Sequence, residues 1–455
     1  MSDRDLTQGP VWRALTLVSA PMAFGVLAVV SVGLADAYFL GQVGADALAA
    51  VGFVYPVTTA ITSLAIGLSA GANAVVSQAL GRGSARAQVQ RMVLHATVLA
   101  VSLAVLVAAV FALFARPLFE LMGAGSGALT QALAYAPIWA VAFPFLVGSM
   151  VLNAVFRAHG DGAASAAVMI LSALFSIGLN PVFIFGWGPI PALGTAGAAL
   201  STLVGYVSAV VAAGVYGRRR GYISACGSPL RGLWSSVTEV ATVGAPAAFS
   251  NAINPAGMAL VTAAVATLGD VAVAGFGAAT RVQSVVLVPL LALSAGIGPV
   301  VGQNWGADKQ DRARRAVAVA WGVCLAYGVV LGAALAVFAA PLAGVFVTED
   351  GSEAADYAAS YLRVVGWSLF GYGMLVTANA AMNARSRPIY SMGLGLGRTF
   401  VVYVPAAWLG VTVLGYPGIL AAAVVANVAI VAAGLWCLDR TGLSPLRSVD
   451  LRVGA

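Results

Sequence analysis

The sequence predicts an all-α polytopic membrane protein of twelve transmembrane helices in two six-helix lobes. Three observations predict it. Of the 455 residues, 61% are hydrophobic and 9% charged, where a soluble globular chain carries roughly a quarter charged residues. A mean hydropathy of +0.95 leaves no room for a solvated surface of ordinary size. The apolar runs are about 20 to 30 residues long, the length a helix needs to cross ~30 Å of hydrocarbon. Helices are expected because their backbone hydrogen bonds close within the segment; the alternating segments of a barrel are not seen.

Clusters of Gly, Pro and charge punctuate the runs into spans near 12–40, 48–79, 90–115, 130–157, 163–187, 194–216, 236–267, 272–303, 314–338, 357–383, 388–411 and 416–438. The polar stretch Met1 to Pro10 is short, and no small-residue cleavage site follows the first run, which reads as a retained span. The basic residues test this count. With the N-terminus in the cytoplasm, one side collects Arg4, Arg13, Arg82, Arg86, Arg91, Arg157, Arg218, Arg219, Arg220 and Arg231. The same side collects Lys309, Arg312, Arg314, Arg315, Arg385, Arg387, Arg440, Arg447 and Arg452, so it holds most of the 23 basic residues. The opposite loops hold little beyond Arg116, and Thr348 to Asp356 is acidic. By the positive-inside rule, twelve spans across the inner (cytoplasmic) membrane with both termini on the cytoplasmic side is the consistent topology.

A repeat supports the two halves. Ser69-Ala70-Gly71 with Val75-Val76-Ser77-Gln78-Ala79-Leu80-Gly81 matches Ser294-Ala295-Gly296 with Val300-Val301-Gly302-Gln303-Asn304-Trp305-Gly306, 225 residues further on. Asn153 has a counterpart in Asn379 at nearly the same spacing. Six spans per copy give both copies one orientation, related by a pseudo-two-fold along the membrane normal, and transporters so built bind substrate between the halves. The expected organisation is an N-terminal lobe at 1–216, a cytoplasmic linker at 217–235 carrying Pro229, a C-terminal lobe at 236–440 and a tail at 441–455.

Several functions are excluded. The net charge of +7 would suggest nucleic acid in a soluble chain, but here the arginines sit in short loops and read as topology. Cys226, Cys324 and Cys437 are scattered and odd in number, and His95 and His159 lack paired ligands, so no disulfide framework, metal or cofactor is expected. No Walker motif is present; the glycines at 393, 395 and 397 read as close packing. An intramembrane enzyme would need clustered His, Asp and Glu or a Ser–His pair, and a channel a conspicuous filter. The chain is expected to be no enzyme, to act as a monomer on small molecules among membrane lipid, and to use H+ or Na+ as coupling ion.

Nearly all of the 16 acidic residues fall in loops or at helix ends; Asp36, within the first span, is the exception. An intramembrane carboxylate is costly unless protonated or paired, and is functional by default; the alternative is an acid merely solvated at the outer interface. Asn153, Ser176, Asn180 and Thr202 are polar residues of nearby spans that could complete a proton-coupling site with it, though each alone is also ordinary helix-packing glue. The repeat partner of Asp36 is Val261, so coupling is assigned to the first half. Pro21 removes a backbone hydrogen bond and should kink the first span. Arg398, mid-span and without an acidic neighbour in sequence, fits either a carbonyl-capping or a functional role.

The stretch Val301 to Asp308, the Arg312 to Arg315 loop, the Gln78 to Gly81 repeat, Phe156 to Asp161 and Asn180 to Gly186 resemble the multidrug and toxic compound extrusion (MATE) family over essentially the whole chain. The resemblance implies two lobes in a V shape, exporting amphipathic, usually cationic drugs or toxic metabolites against H+ or Na+. It is nearest the prokaryotic DinF-like branch, whose first-helix aspartate and upstream proline match Asp36 and Pro21 and whose polar cluster maps onto Asn153, Ser176, Asn180 and Thr202. Asn180 stands where that branch often has a second aspartate. Asn254 and Tyr372 stand where the NorM-like branch has acids. Tyr38, Asn254 and Arg398 are expected to line the substrate cavity. The alternative within the superfamily is a lipid-linked oligosaccharide flippase, which should show a cavity rich in Arg and Lys.

Overall fold

The computed structural model describes residues 5–224, 231–344 and 353–446. Arg4, Cys226, Pro229, loop residues 348–352 and the tail with Arg447 and Arg452 lie outside the described residues. Among those described, eleven helices are long and apolar enough to cross a bilayer, and one bent pair makes a twelfth. They are α1 (Val11–Val43), α2 (Ala45–Gly81), α3 (Arg86–Leu121), α4 (Ser126–Ala158), α5 (Gly162–Phe185), α6 (Thr195–Arg220) and α7 (Leu233–Ala266). The bent α8 (Asp270–Val286 and Val288–Gly306), α9 (Gln310–Gly344), α10 (Glu353–Ala384), α11 (Pro388–Leu414) and α12 (Tyr416–Arg440) follow. Each expected span has its helix. Most helices overrun the apolar run by a turn or more, because charged ends such as Arg86, Arg116 and Glu120 continue the helix beyond the hydrocarbon.

Three interruptions go beyond what run length predicts, and two trace to proline. α8 bends by 45° where Pro289 opens its second segment and withholds an N–H from the first. In α11, Gly397–Tyr403 is a π turn, relieving the clash of Pro405 with the carbonyl four residues back. α10 carries a 3-10 turn at Gly366–Ser368.

The chain divides into two compact units that do not follow chain order: Met1–Asp5 with Pro21–Ala248, and Leu6–Ala20 with Phe249–Ala455. α1 runs unbroken through Pro21, yet its first turns contribute Ala14, Leu15 and Val18 to the second unit's core. In the same way Val240, in the first turns of α7, belongs to the first unit's core. Pro21 and Pro246 mark the two crossings 225 residues apart.

The repeated Ser-Ala-Gly triplets explain how each unit receives this outside helix. Ser69 donates to the Met150 carbonyl at 3.2 Å, and Ser294 to the Val376 carbonyl at 2.9 Å. Two residues later, a side chain on Gly71 would strike the Val240 carbonyl, and one on Gly296 would strike Ser19. The serine ties down the neighbouring span and the glycine lets a backbone approach, the usual route to tight packing where lipid removes the hydrophobic drive between helices. Elsewhere the interior is a stripe of small residues: Ala96, Ala100, Ala104 and Ala108 are buried along α3, and Ala132, Ala136 and Ala140 along α4.

The loop ends are tied by side-chain hydrogen bonds to backbone groups, those from Lys309, Arg312 and Arg86 charge-assisted. In the second unit Gln303 accepts from the Leu6 amide at 3.0 Å, Asn304 donates to the Leu6 carbonyl at 3.1 Å, and Lys309 and Arg312 donate to the carbonyls of Thr7 and Gln8 at 3.0 and 2.7 Å. In the first, Arg86 and Gln90 grip the carbonyls of Arg220 and Gly221 at 3.1 and 2.7 Å as the chain leaves α6.

Candidate functional site

The first unit carries a buried chain of three polar groups. Asp36 is seven residues from the end of α1, Asn180 five from the end of α5, and Ser201 six from the start of α6. Those ends meet, since Val43 lies beside Gly194, which caps α6. The Asn180 amide nitrogen donates to the Asp36 carboxylate at 2.6 Å. The Ser201 hydroxyl in turn donates to the Asn180 amide oxygen. Asn180 and Ser201 are fully buried and Asp36 is part-buried.

One helical turn closer to the helix ends, Leu40, Ile184 and Ala198 form a separate apolar cluster. They stand four, four and three residues from Asp36, Asn180 and Ser201, so they share those faces of the same three helices. A hydrocarbon plug therefore stands between the carboxylate and that end of the bundle, which is not where an acid merely solvated at the interface would sit. Tyr135 on α4 and Tyr206 on α6 lie within electrostatic range of Asp36.

The other expected partners are not bonded to Asp36. Thr202 is buried with an unpartnered hydroxyl, because one residue beyond Ser201 rotates it about 100° around α6. Ser176 is buried against Gly205, at the contact of α5 and α6. Asn153 is buried five residues from the opposite end of α4, its amide oxygen unpartnered. About 24 Å of helix separates it from the level of Ser201, since α4 and α6 run parallel with Thr195 bonded to Gln131 at 2.7 Å. Tyr38 is exposed and meets Phe39 edge-on at 5.4 Å. Asn254 is part-buried on α7, one turn before Gly257, which packs on Thr399.

The second unit has its own charged centre. Arg398 stands ten residues into α11, inside the π turn. Its Nη2 donates to the Asn427 amide oxygen of α12 at 2.8 Å, and the Asn427 nitrogen donates to the Ser368 hydroxyl of α10 at 2.9 Å. The guanidinium lies over the rings of Tyr372 and Tyr403 at 5.3 and 5.6 Å. Its Nε is buried and unpartnered, and among the described residues no acid pairs with it. Asn427 and Ser368, like Ser201, Tyr135 and Tyr206, were not singled out in the sequence. Each is a polar group within an apolar run, but nothing in the linear order says which of many such groups will meet.

Charge held inside membrane spans and bridged to neighbouring helices lines ion and solute paths, and the class this fold and these centres define is the polytopic membrane transporter. The MatE family model matches residues 21–182 and 246–409, two stretches that begin at the repeat-related prolines, and the chain belongs to that family, whose members are transporters and not enzymes. A FAD transporter of Shewanella oneidensis is 35% identical over 94% of each chain. A probable multidrug resistance protein of Bacillus subtilis, YoeA, is 26% identical over 90% of this chain and 91% of its own. Among solved structures, the Vibrio cholerae MATE transporter VcmN in its bent form matches with a TM-score of 0.86 and 27% identity, covering 95% of this chain and 98% of that one.

Proposed function

We propose that the chain is a proton-coupled antiporter of the cytoplasmic membrane, with both termini in the cytoplasm, exporting amphipathic small molecules as a monomer and without an organic cofactor. The observation that carries this reading is the Asp36–Asn180–Ser201 chain. Among the described residues Asp36 is the acid placed inside a span and bonded to a neighbouring one; Glu239, six residues into α7, is exposed. In the charged state the carboxylate accepts from Asn180, and protonation replaces that charge-assisted bond with a weaker one. Proton binding is thereby converted into a change in how firmly α1 is held to α5. Pro21, within α1, lacks the backbone N–H that would stiffen the helix there, so α1 is the element able to respond.

Two solute classes follow from the relatives. The FAD transporter puts a flavin dinucleotide first; the multidrug resistance relatives put drugs second, which the family resemblance makes amphipathic and usually cationic. The driving forces separate them. One proton exchanged for one monovalent cation moves no net charge, leaving about 1.36 kcal/mol per pH unit. Exit of an anionic dinucleotide is itself favoured by a negative interior, by about 2.3 kcal/mol per charge per 100 mV.

The test is solute flux in proteoliposomes under an imposed pH gradient, with FAD and with a cationic dye, comparing wild type and Asp36→Asn. Expected is gradient-dependent flux in wild type and a loss of at least about a hundredfold in the variant, with an unchanged unfolding midpoint. Wild-type flux in Asp36→Asn would remove Asp36 from coupling, and flux driven by a sodium gradient at zero pH gradient would replace the proton by Na+.

A further inference from the structure

We propose that Arg398 is an anion-binding residue, and that it recognises the phosphate or carboxylate of the exported solute. The proposal rests on the export reading above and adds the sign of charge that the second unit accepts.

Arg398 is mid-span, where a guanidinium is costly unless something offsets its charge. Its protein partners leave the charge in place. Asn427 supplies one neutral oxygen at 2.8 Å and is held by its own bond to Ser368. Tyr372 and Tyr403 offer ring faces on which a guanidinium can rest. These contacts aim the group and still leave the Nε donor buried without an acceptor. A guanidinium that is oriented, uncompensated and short of acceptors matches the planar fork that grips phosphate or carboxylate through paired N–H bonds.

An incoming cation would meet a like charge at this centre, whereas an anion would meet an opposite one with a free donor. The π turn contributes as well: the inserted residue turns Arg398 out of the regular α-helical register, and π turns inside α-helices cluster at functional sites. The competing account, in which Arg398 is a strut joining α11 to α12, explains the Asn427 bond. It does not explain the choice of an uncompensated cation where a neutral amide would serve.

The test uses the full chain in neutral detergent free of anionic lipid. Thermal unfolding is followed while titrating sodium pyrophosphate against sodium chloride of equal ionic strength, and binding is followed with FMN and riboflavin, which share a ring system and differ in a phosphate. Expected in wild type is a rise in midpoint with pyrophosphate, and FMN affinity exceeding that of riboflavin by about tenfold or more, the worth of a charge-assisted bond. Arg398→Gln should lose both responses, Arg398→Lys should keep part of each, and Asp36→Asn should keep them whole. Were Arg398→Gln to misfold, Asn427→Ala carries the test, because it leaves the charge and removes what aims it.

A pyrophosphate response equal in wild type and Arg398→Gln overturns the proposal, as does absence of any response in wild type. An Arg398-dependent gain from added phosphatidylglycerol, with none from pyrophosphate or FMN, overturns it in favour of a lipid headgroup. Normal flux in Asp36→Asn with an intact Arg398-dependent anion response defeats the coupling reading alone and leaves this one standing.

Discussion

The two units bury their charge by the same device with opposite polarity. In the first, a carboxylate accepts from an asparagine nitrogen and the asparagine oxygen accepts from a serine. In the second, a guanidinium donates to an asparagine oxygen and the asparagine nitrogen donates to a serine. An amide presents a donor and an acceptor on the same carbon, so rotating it by half a turn matches it to either sign of charge. The serine, both donor and acceptor, closes the chain in each case. The charges do not occupy equivalent positions in the repeat, since Asp36 is matched by the fully buried Val261. The repeat thus supplies the scaffold, with its Ser-Ala-Gly triplets and exchanged helices, while the charge at each centre belongs to its own unit.

Forcing the helices of one centre apart is the most severe perturbation either unit can receive. Gly371 on α10 lies against the backbone carbonyl of Asn427. Any side chain there must displace α12 and carry Asn427 away from Arg398. Gly371→Val is expected to cost at least about 3 kcal/mol, the upper end for overpacking, because backbone and not a flexible side chain stands in the way. In the first unit Gly197 of α6 lies against the Phe183 carbonyl of α5 in the same manner. If the centres are independent, Gly371→Val abolishes the pyrophosphate response and spares pH-driven flux of a cationic dye, and Gly197→Val does the reverse. Loss of both activities from a variant that still unfolds cooperatively in detergent would show one coupled site.

A milder break replaces an amide by a side chain of nearly its shape. Asn180→Leu leaves Asp36 and Ser201 without their shared partner, and an unmet buried polar group costs about 1–3 kcal/mol. Flux is expected to fall by tenfold or more with the Arg398-dependent anion response unchanged. Unaltered flux in Asn180→Leu would mean that Asp36 works without its bridge to α5.

The centres were legible in the sequence to different depths. Asp36, Asn180 and Arg398 stood out because a charge or amide in an apolar run is costly, and cost does not depend on knowing the fold. Their partners depended on rotation and height, which periodicity resolves poorly. Thr202 and Ser201 are neighbours in sequence, yet a single step around α6 sends one hydroxyl to Asn180 and leaves the other unpartnered. Asn153 belongs to the same lobe by any reading of spans, but lies near the far end of its helix. The twelve spans and the repeat were readable from run length and motif spacing. The crossing of α1 and α7 between units was not, because Pro21 and Pro246 are ordinary membrane prolines until packing shows that the core changes beside them.

The smallest change bears on the polarity of the device itself. Ser201→Ala and Ser368→Ala each remove one hydroxyl from a buried asparagine, worth about 0.5–1.5 kcal/mol, but they should not cost the same. Losing Ser201 leaves the Asn180 oxygen short of a donor while its nitrogen still serves Asp36. Losing Ser368 leaves the Asn427 nitrogen, on a residue 2% exposed, with an N–H and no acceptor. Buried N–H groups without partners are rarer in folded proteins than under-satisfied oxygens, and the second change should lower the unfolding midpoint further in the same detergent. Each amide is oriented by its charged neighbour, since Asp36 can only accept when ionised and Arg398 can only donate. Equal losses, or a larger loss from Ser201→Ala, would mean that at least one amide is turned the other way, and the two centres would no longer be opposites.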